Sequence, residues 1–332
     1  INMNRMSFMT ALAAGVFCST AFGAGINGVV TDASGKPMEG VSVSAIDDSL
    51  EKSVTVFSQA DGTYSIDGLA DASYAVRARL IGSEDSFIEG VTPGKEASFK
   101  LSPAEDIDSQ RRGDNLFSLV KWDSDKDKQN FKMFCGYCHQ IGTMGFRSPE
   151  EPVDWETMVT RMDGFGGLYK HTQETLVTRL LEAYSEEGQE KWPAFEVPAA
   201  PSGAGTKAII TEWDLGRQDA TMTHDLELGA DGMVYVVDMI NDAILTLDPE
   251  TGERKTIAYP DGKDPAADGI PRKGPHSIEA DSEGNMWVTL ALSGQMSKYD
   301  VTTGEFTTVS SAPAPRPRGA YPHTLRVGAD DT

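Results

Sequence analysis

Cysteine is scarce in this chain. Its 332 residues hold three, Cys18, Cys135 and Cys138. That is too few for a disulfide framework tying distant parts together. Histidine is scarce too, with five in all. Positive charge is short: 29 Lys and Arg face 51 Asp and Glu, for a formal net charge of −22. The balance argues against a nucleic-acid binder, which needs a basic face for phosphates. It argues equally against docking on an anionic membrane surface. A cationic partner or basic substrate remains open, beside the plain reading that an acidic surface keeps the protein soluble. No run of eighteen apolar residues is present, so no transmembrane span is expected. The apolar content of 39% and the length suit two to three globular domains.

The first 24 residues read as a secretory signal. Arg5 precedes a mostly apolar run from Phe8 to Phe17, followed by small residues from Ser19 to Gly25. A positive n-region, a short apolar h-region and an A-x-A-like site at Ala21 and Gly23 make a cleavable leader. The expected location is therefore periplasmic or secreted. Cleavage removes Cys18 and leaves the Cys135/Cys138 pair alone. The opening Ile1-Asn2 before Met3 suggests an incomplete reading frame, and the whole chain reads as the N-terminal part of a longer protein.

From Gly28 to about Ser102, short β-rich runs alternate with turn dipeptides. Val41, Val43 and Ala45 alternate with Ser42 and Ser44, the period of a half-buried strand. Val54–Phe57, Tyr64–Ile66 and Tyr74–Ala78 are further strands, and Ser34-Gly35, Asp61-Gly62 and Asp67-Gly68 mark turns. The string Gly35-Lys36-Pro37-Met38-Glu39-Gly40-Val41-Ser42-Val43, with Ala60-Asp61-Gly62-Thr63-Tyr64-Ser65-Ile66, resembles the carboxypeptidase regulatory-like domain, a transthyretin-like β-sandwich. The resemblance covers residues 25–102 and implies a docking or spacing module without catalysis. The segment has neither His nor Cys, in keeping with that. Residues 103–113 read as an exposed polar linker.

Residues 114–196 read as a small all-α unit. Ser124 or Asp125 caps a helix through Phe131 and Phe134; Asp154 caps a second, carrying Trp155, Met158, Val159 and Met162 on one face. Thr172 caps a third, through Leu176, Leu180, Leu181 and Tyr184 to Gly188. At the end of the first helix stands Cys135-Gly136-Tyr137-Cys138-His139. C-x-x-C-H is the attachment signature of c-type haem: two thiols add across the vinyl groups, and the adjacent imidazole lies under the iron. A structural zinc site would need further ligands that the sequence does not provide nearby. A thioredoxin-like pair would need a βαβ setting. A local disulfide loop is the remaining alternative.

The unit resembles a class I-like c-type cytochrome. The resemblance implies one covalent haem c, with Cys135 and Cys138 as thioethers, His139 as proximal iron ligand and a distal ligand, usually Met. Met144 is too close to His139 to cross to the other haem face. Met162, before the Gly-rich run Asp163-Gly164-Phe165-Gly166-Gly167, is the expected distal ligand, with Met158 in reserve and His171 as outsider. Core packing is the bland alternative for both Met residues. Arg147 and Arg161 are candidates for propionate pairing, and Tyr137 for packing at the haem edge.

A Pro/Gly/Ala-rich linker, residues 197–208, precedes a repeat. His224 to Val236 aligns with His276 to Val288, and a third copy opens at His323, at spacings of 52 and 47 residues. Four short strands per ~50 residues make a propeller blade. The pattern P-H-x-I-x-x-D-x-x-G-N-x-W-V-T at Pro275–Thr289 resembles virginiamycin B lyase (streptogramin lyase) and its wider propeller family. The resemblance spans residues 209–332, an incomplete propeller of about two and a half blades. The lyase's catalytic residues belong to later blades and are not carried over. His224, His276 and His323 recur once per copy. Either they tie blades together by hydrogen bonds, or they converge on the channel to bind a metal or an anionic ligand.

The expected protein is a periplasmic electron carrier, multidomain, with β-sandwich, haem unit and partial propeller in that order. Its expected partners are a redox protein, favoured if basic, and a small molecule in the propeller. The alternative is a streptogramin lyase-like or substrate-binding propeller in which haem is accessory. Lyase activity would then belong to the full-length propeller.

Overall fold

The computed structural model describes residues 25–47, 49, 51–136, 155–164, 173–215, 221–262, 272–310 and 321–332. The expected leader lies outside them. No helix among the described residues is long and apolar enough to cross a membrane.

The first unit is a two-sheet sandwich. Strands β1 (Ile26–Asp32), β4 (Thr63–Ile66) and β7 (Phe99–Leu101) form one sheet, in the order β4-β1-β7. Strands β2 (Ser42–Asp47), β3 (Lys52–Phe57), β5 (Tyr74–Arg79) and β6 (Ser86–Val91) form most of the other. Ile26, Val30, Val43, Ala45, Ile66, Val76, Phe99 and Leu101 close the core between them. Ser44 departs from the expected alternation, because it is buried on the opposite face. There its hydroxyl lies 2.8 Å from that of Thr55 and satisfies it.

The second sheet gains a fifth strand from far along the chain. Strand β8 (Ile210–Trp213) pairs antiparallel with β3, Lys52 opposite Trp213 and Thr55 opposite Ile210. This corrects the expected boundary at residue 209: β8 belongs to the sandwich sheet, not to the propeller. The preceding 197–208 stretch is not a free linker either. The Gly203 amide donates to Glu39 (2.9 Å) and the Gln59 side chain donates to the Thr206 carbonyl (3.1 Å). Gly40, at φ +78°, lies so close that an added Cβ would sit inside the Pro201 carbonyl. Gly40→Ala is therefore expected to cost about 2 kcal/mol, read as a fall in the urea midpoint.

Between β7 and β8 the described residues form five α-helices: α1 (Gly113–Leu119), α2 (Asp125–Cys135), α3 (Trp155–Gly164), α4 (Gln173–Tyr184) and α5 (Glu186–Gln189). The helical unit is thus an insertion into a sandwich completed only afterwards. Ser124 caps α2 as expected, accepting from the Asp127 amide at 3.1 Å. Helix α1 was not foreseen, since its Gly-Asp-Asn start resembles a turn. The third expected helix stops at Tyr184, where Ser185 begins α5 by accepting from the Gly188 amide. Leu116 and Phe117 from α1, Phe131 from α2, Trp155 and Val159 from α3, and Leu176, Leu180 and Tyr184 from α4 share one core.

Residues 103–113 are largely exposed, as expected of a linker, but one of them anchors it. Arg111 is buried, bonded to Asp108 and to the Pro193 carbonyl, with its guanidinium 5.4 Å from the Trp192 ring and 5.0 Å from that of Phe195. It clasps the strand of chain entering the helical unit to the one leaving it.

The last unit is two four-stranded antiparallel meanders: β9 (Thr223–Leu228), β10 (Val234–Asp238), β11 (Ala243–Leu247) and β12 (Arg254–Ala258), then β13 (Pro275–Ala280), β14 (Met286–Leu290), β15 (Gln295–Tyr299) and β16 (Phe306–Ser310). Tyr235, Val237 and Ile244 of the first pack on Ile278, Met286, Val288 and Leu290 of the second. Strands β9 and β13, each first in its sheet, lie in contact. Consecutive propeller blades are arranged in this way.

The repeated turn has a structural cause. Asp281 accepts from the Glu283 and Asn285 amides and from the Trp287 indole (3.1, 2.8 and 3.0 Å). The first copy has Gly229 at that position. Its carboxylate comes instead from Asp231, which accepts from the Met233 amide (3.1 Å) and the Tyr235 hydroxyl (2.8 Å). A Cβ at Gly229 would run into that carboxylate. The two sequences are alternative ways to anchor one turn.

Candidate functional site

Two places carry chemistry-bearing residues. The first is the end of α2. Cys135 is its last residue, and Gly136 closes it with an amide bond to the Lys132 carbonyl at 3.0 Å. Tyr137, Cys138, His139, Met144, Arg147, Asp154, His171 and Thr172 lie outside the described residues. Met158 and Met162 stand one turn apart on α3, and both are half-buried. Met158 packs against the helical core; Met162 is not among the residues packed there. Core packing thus accounts for Met158. Arg161 is on the same helix.

The donor chemistry at this place suits a c-type haem: two thiols, an imidazole and a thioether. Phe131, one turn before Cys135, is 6% exposed and stacks on Phe117 with ring centroids 5.1 Å apart. That contact sets the end of α2 against the core shared with α3, the helix of Met162.

The second place is where the propeller-like sheets meet. The structure brings the three repeat histidines together. The His224 and His276 ring centroids are 3.6 Å apart, His276 and His323 4.1 Å, and His224 and His323 6.3 Å. The cause is a β-bulge repeated in both sheets. Between Thr223 and Leu226 strand β9 has one residue more than its partner between Asp238 and Val236. Between Pro275 and Ile278 strand β13 likewise exceeds its partner between Leu290 and Val288. The histidines lie in the bulged stretches. A bulge re-aims a side chain and is common beside functional sites.

His276 is 2% exposed. Its ring hydrogen-bonds to the His323 backbone, and its buried Nδ1 meets no partner. Nε2 therefore donates to the carbonyl and Nδ1 holds a bare lone pair. Burial first, and then the neighbouring His224 and His323 rings, pull its pKa down to about 4. Burial and His224 lower that of His323 as well. Among the described residues no three His, Cys, Asp or Glu are placed to hold a metal ion, and these three are all described. The three histidines converge where the two sheets meet, and the close His276–His323 contact links β13 to the segment 321–332.

Neighbours of the cluster escaped sequence reasoning. The Asp225 carboxylate accepts from the Ser277 hydroxyl at 2.8 Å, joining β9 to β13. The Thr289 hydroxyl holds the bulge by accepting from the Ser277 amide (2.9 Å) and donates to the His323 carbonyl (3.3 Å). The Tyr321 ring lies 5.6 Å from that of His276. A usable signal existed: each repeat histidine is followed by a polar residue, Asp225, Ser277 or Thr324.

Comparison with known proteins decides the first unit. A model of the carboxypeptidase regulatory-like domain matches residues 25–102. Those residues are a carboxypeptidase regulatory-like domain. Its boundaries coincide with β1 to β7, so β8 is an addition to the regulatory-like domain from outside it. No curated protein matches the chain significantly. Solved structures similar to it include a catalytically inactive virginiamycin B lyase from Staphylococcus aureus with quinupristin, at 18% identity and TM-score 0.29 over 37% of this chain and 36% of that one. Another is a streptogramin B lyase, at 18% identity and TM-score 0.29 over 39% and 37%. The chain spans just over a third of the length of those lyases.

Proposed function

We propose that this chain is an exported electron carrier with one covalent haem c, attached through Cys135 and Cys138. The observation that carries the reading is Cys135, opening a C-x-x-C-H string, at the end of a helix whose Phe131 is anchored in the helical core. The bound group supplies a one-electron iron couple. The chain's part would be to hold it: the Cys135 and Cys138 thiols would fix it covalently, the His139 imidazole and the Met162 thioether would serve as iron ligands, and the apolar helices would limit water. A net charge of −22 favours a basic redox partner through steering at low ionic strength. The regulatory-like domain serves as a mount. Its sheet takes up β8, directly before the propeller-like unit, so electron carrier and propeller share one support.

The test is production in a host with c-type cytochrome maturation, followed by spectra of the denatured and native protein. A haem band surviving denaturation and lost in Cys135→Ala is expected, as is a weak near-red oxidised band that disappears in Met162→Ala and persists in Met158→Ala. Absence of covalent haem under competent maturation overturns the reading.

A second reading has the propeller-like unit as the substrate-binding part, with haem accessory. The bulged histidine cluster favours it. Reduction of the haem by a bound small molecule would join the two readings; binding without reduction would favour the second.

A further inference from the structure

The histidine cluster stands outside the electron-carrying reading and asks for a role of its own. Three imidazoles from two sheets and the following segment meet within one or two ring widths. The cluster sets three imidazoles beside the Asp225 carboxylate. From β9 the cluster is faced by His224 and Asp225, from β13 by His276 and Ser277, and from the last segment by Tyr321 and His323. Asp225 is the one carboxylate acting on His276, and its Oδ2 already accepts from the Ser277 hydroxyl.

We propose that the histidine cluster forms an acid-released latch, joining the two propeller-like sheets and the segment 321–332 while neutral and parting them when His276 and His323 take up protons. In the neutral state the rings pack at tilted and edge-on angles and the His276 ring hydrogen-bonds to the His323 backbone. One added proton is offset by Asp225. A second places like charges about 4 Å apart, within a half-buried site, where their repulsion is only weakly screened. Among the described residues the segment is also held by the Val327 amide on Glu279 (2.8 Å), a long Arg326–Glu279 pair (3.8 Å), Ser282 on Asp331, the Thr289 hydroxyl on the His323 carbonyl, and burial of Leu325. Burial and the neighbouring rings depress the His276 pKa, so the opened state binds protons that the closed state refuses. Closure is complete above about pH 6.5 and is lost as the pH falls toward 4. An exported protein meets such a range when the surroundings acidify.

The experiment is amide hydrogen exchange on the full chain at pH 7.5 and 4.5, corrected for intrinsic rates. Peptides covering 321–332 and β13 are expected to lose protection at least tenfold at the lower pH, while those of the regulatory-like domain do not. His276→Gln keeps a donor for the His323 carbonyl but cannot be protonated, and should remove most of the step. Should it fail to fold, His224→Gln, at a half-buried position, should shrink the step. Equal protection at both pH values, or an undiminished step in the variant that folds, overturns the latch.

Discussion

Asp281→Ala is expected to destabilise the propeller-like unit by about 3–4 kcal/mol, the largest effect foreseen for a single carboxylate in this chain. The side chain is 5% exposed. It accepts from the Glu283 and Asn285 amides, the Asn285 side chain, the Trp287 indole and the Lys298 ammonium group. Removing it leaves several donors without their acceptor. Asp281→Asn keeps the shape but turns one oxygen into a donor, so it should lose nearly as much. Burial alone would raise the pKa of this carboxyl, yet the Asn285 amide, the Trp287 indole and Lys298 hold it down to about 2. Because the folded value lies below the unfolded one of 3.8, its stabilisation is fully present above about pH 4 and is lost as the pH falls toward 2. Trp287 fluorescence during urea unfolding at pH 7 and pH 3 reads both effects. Equal stability of Asp281→Ala and the parent would refute this account of the repeated turn.

Arg111→Ala should cost about 2–4 kcal/mol and, more tellingly, should loosen the neck of the helical insertion. The guanidinium is held between Trp192 and Phe195 while bonded to Asp108 and the Pro193 carbonyl. Its loss removes the partner of the part-buried Pro193 carbonyl and leaves a slot between two rings. Lys at this position keeps the charge but not the planar fork, so Arg111→Lys should recover less than half of the loss. Limited proteolysis supplies the second readout: cleavage between residues 192 and 202 should accelerate in the variant, while the core of the regulatory-like domain stays protected. Unchanged cleavage with a lowered melting temperature would make Arg111 a packing residue and not a clasp.

Much was legible in the sequence for physical reasons. The sandwich strands were visible because a two-residue period puts Val43, Ala45 and Val76 on one face wherever one face is buried. The helix ending at Cys135 was visible because Ser124 can satisfy a helix start that Asp127 needs. The histidine repeat was visible because sheets of the same kind place equivalent residues at equivalent points. The motif Cys135-Gly136-Tyr137-Cys138-His139 is read from local spacing alone, and residues 137–139 lie outside the described residues.

Other features belong to the tertiary structure alone. That β8 completes the regulatory-like sheet was hidden, because an edge strand pairs through its backbone and any short extended run can do it. That Arg111 is buried was hidden, because its partners Trp192, Pro193 and Phe195 lie about eighty residues further on. Periodicity marks which histidines are equivalent, but their distance depends on bulges that aim the side chains inward and on two sheets closing face to face. Sequence determined the kinds of element and the chemistry each residue can perform, since both follow from local backbone preference and side-chain type. Which residues meet was decided by packing between segments far apart in the chain, where the contact energy exists only once the whole fold has formed.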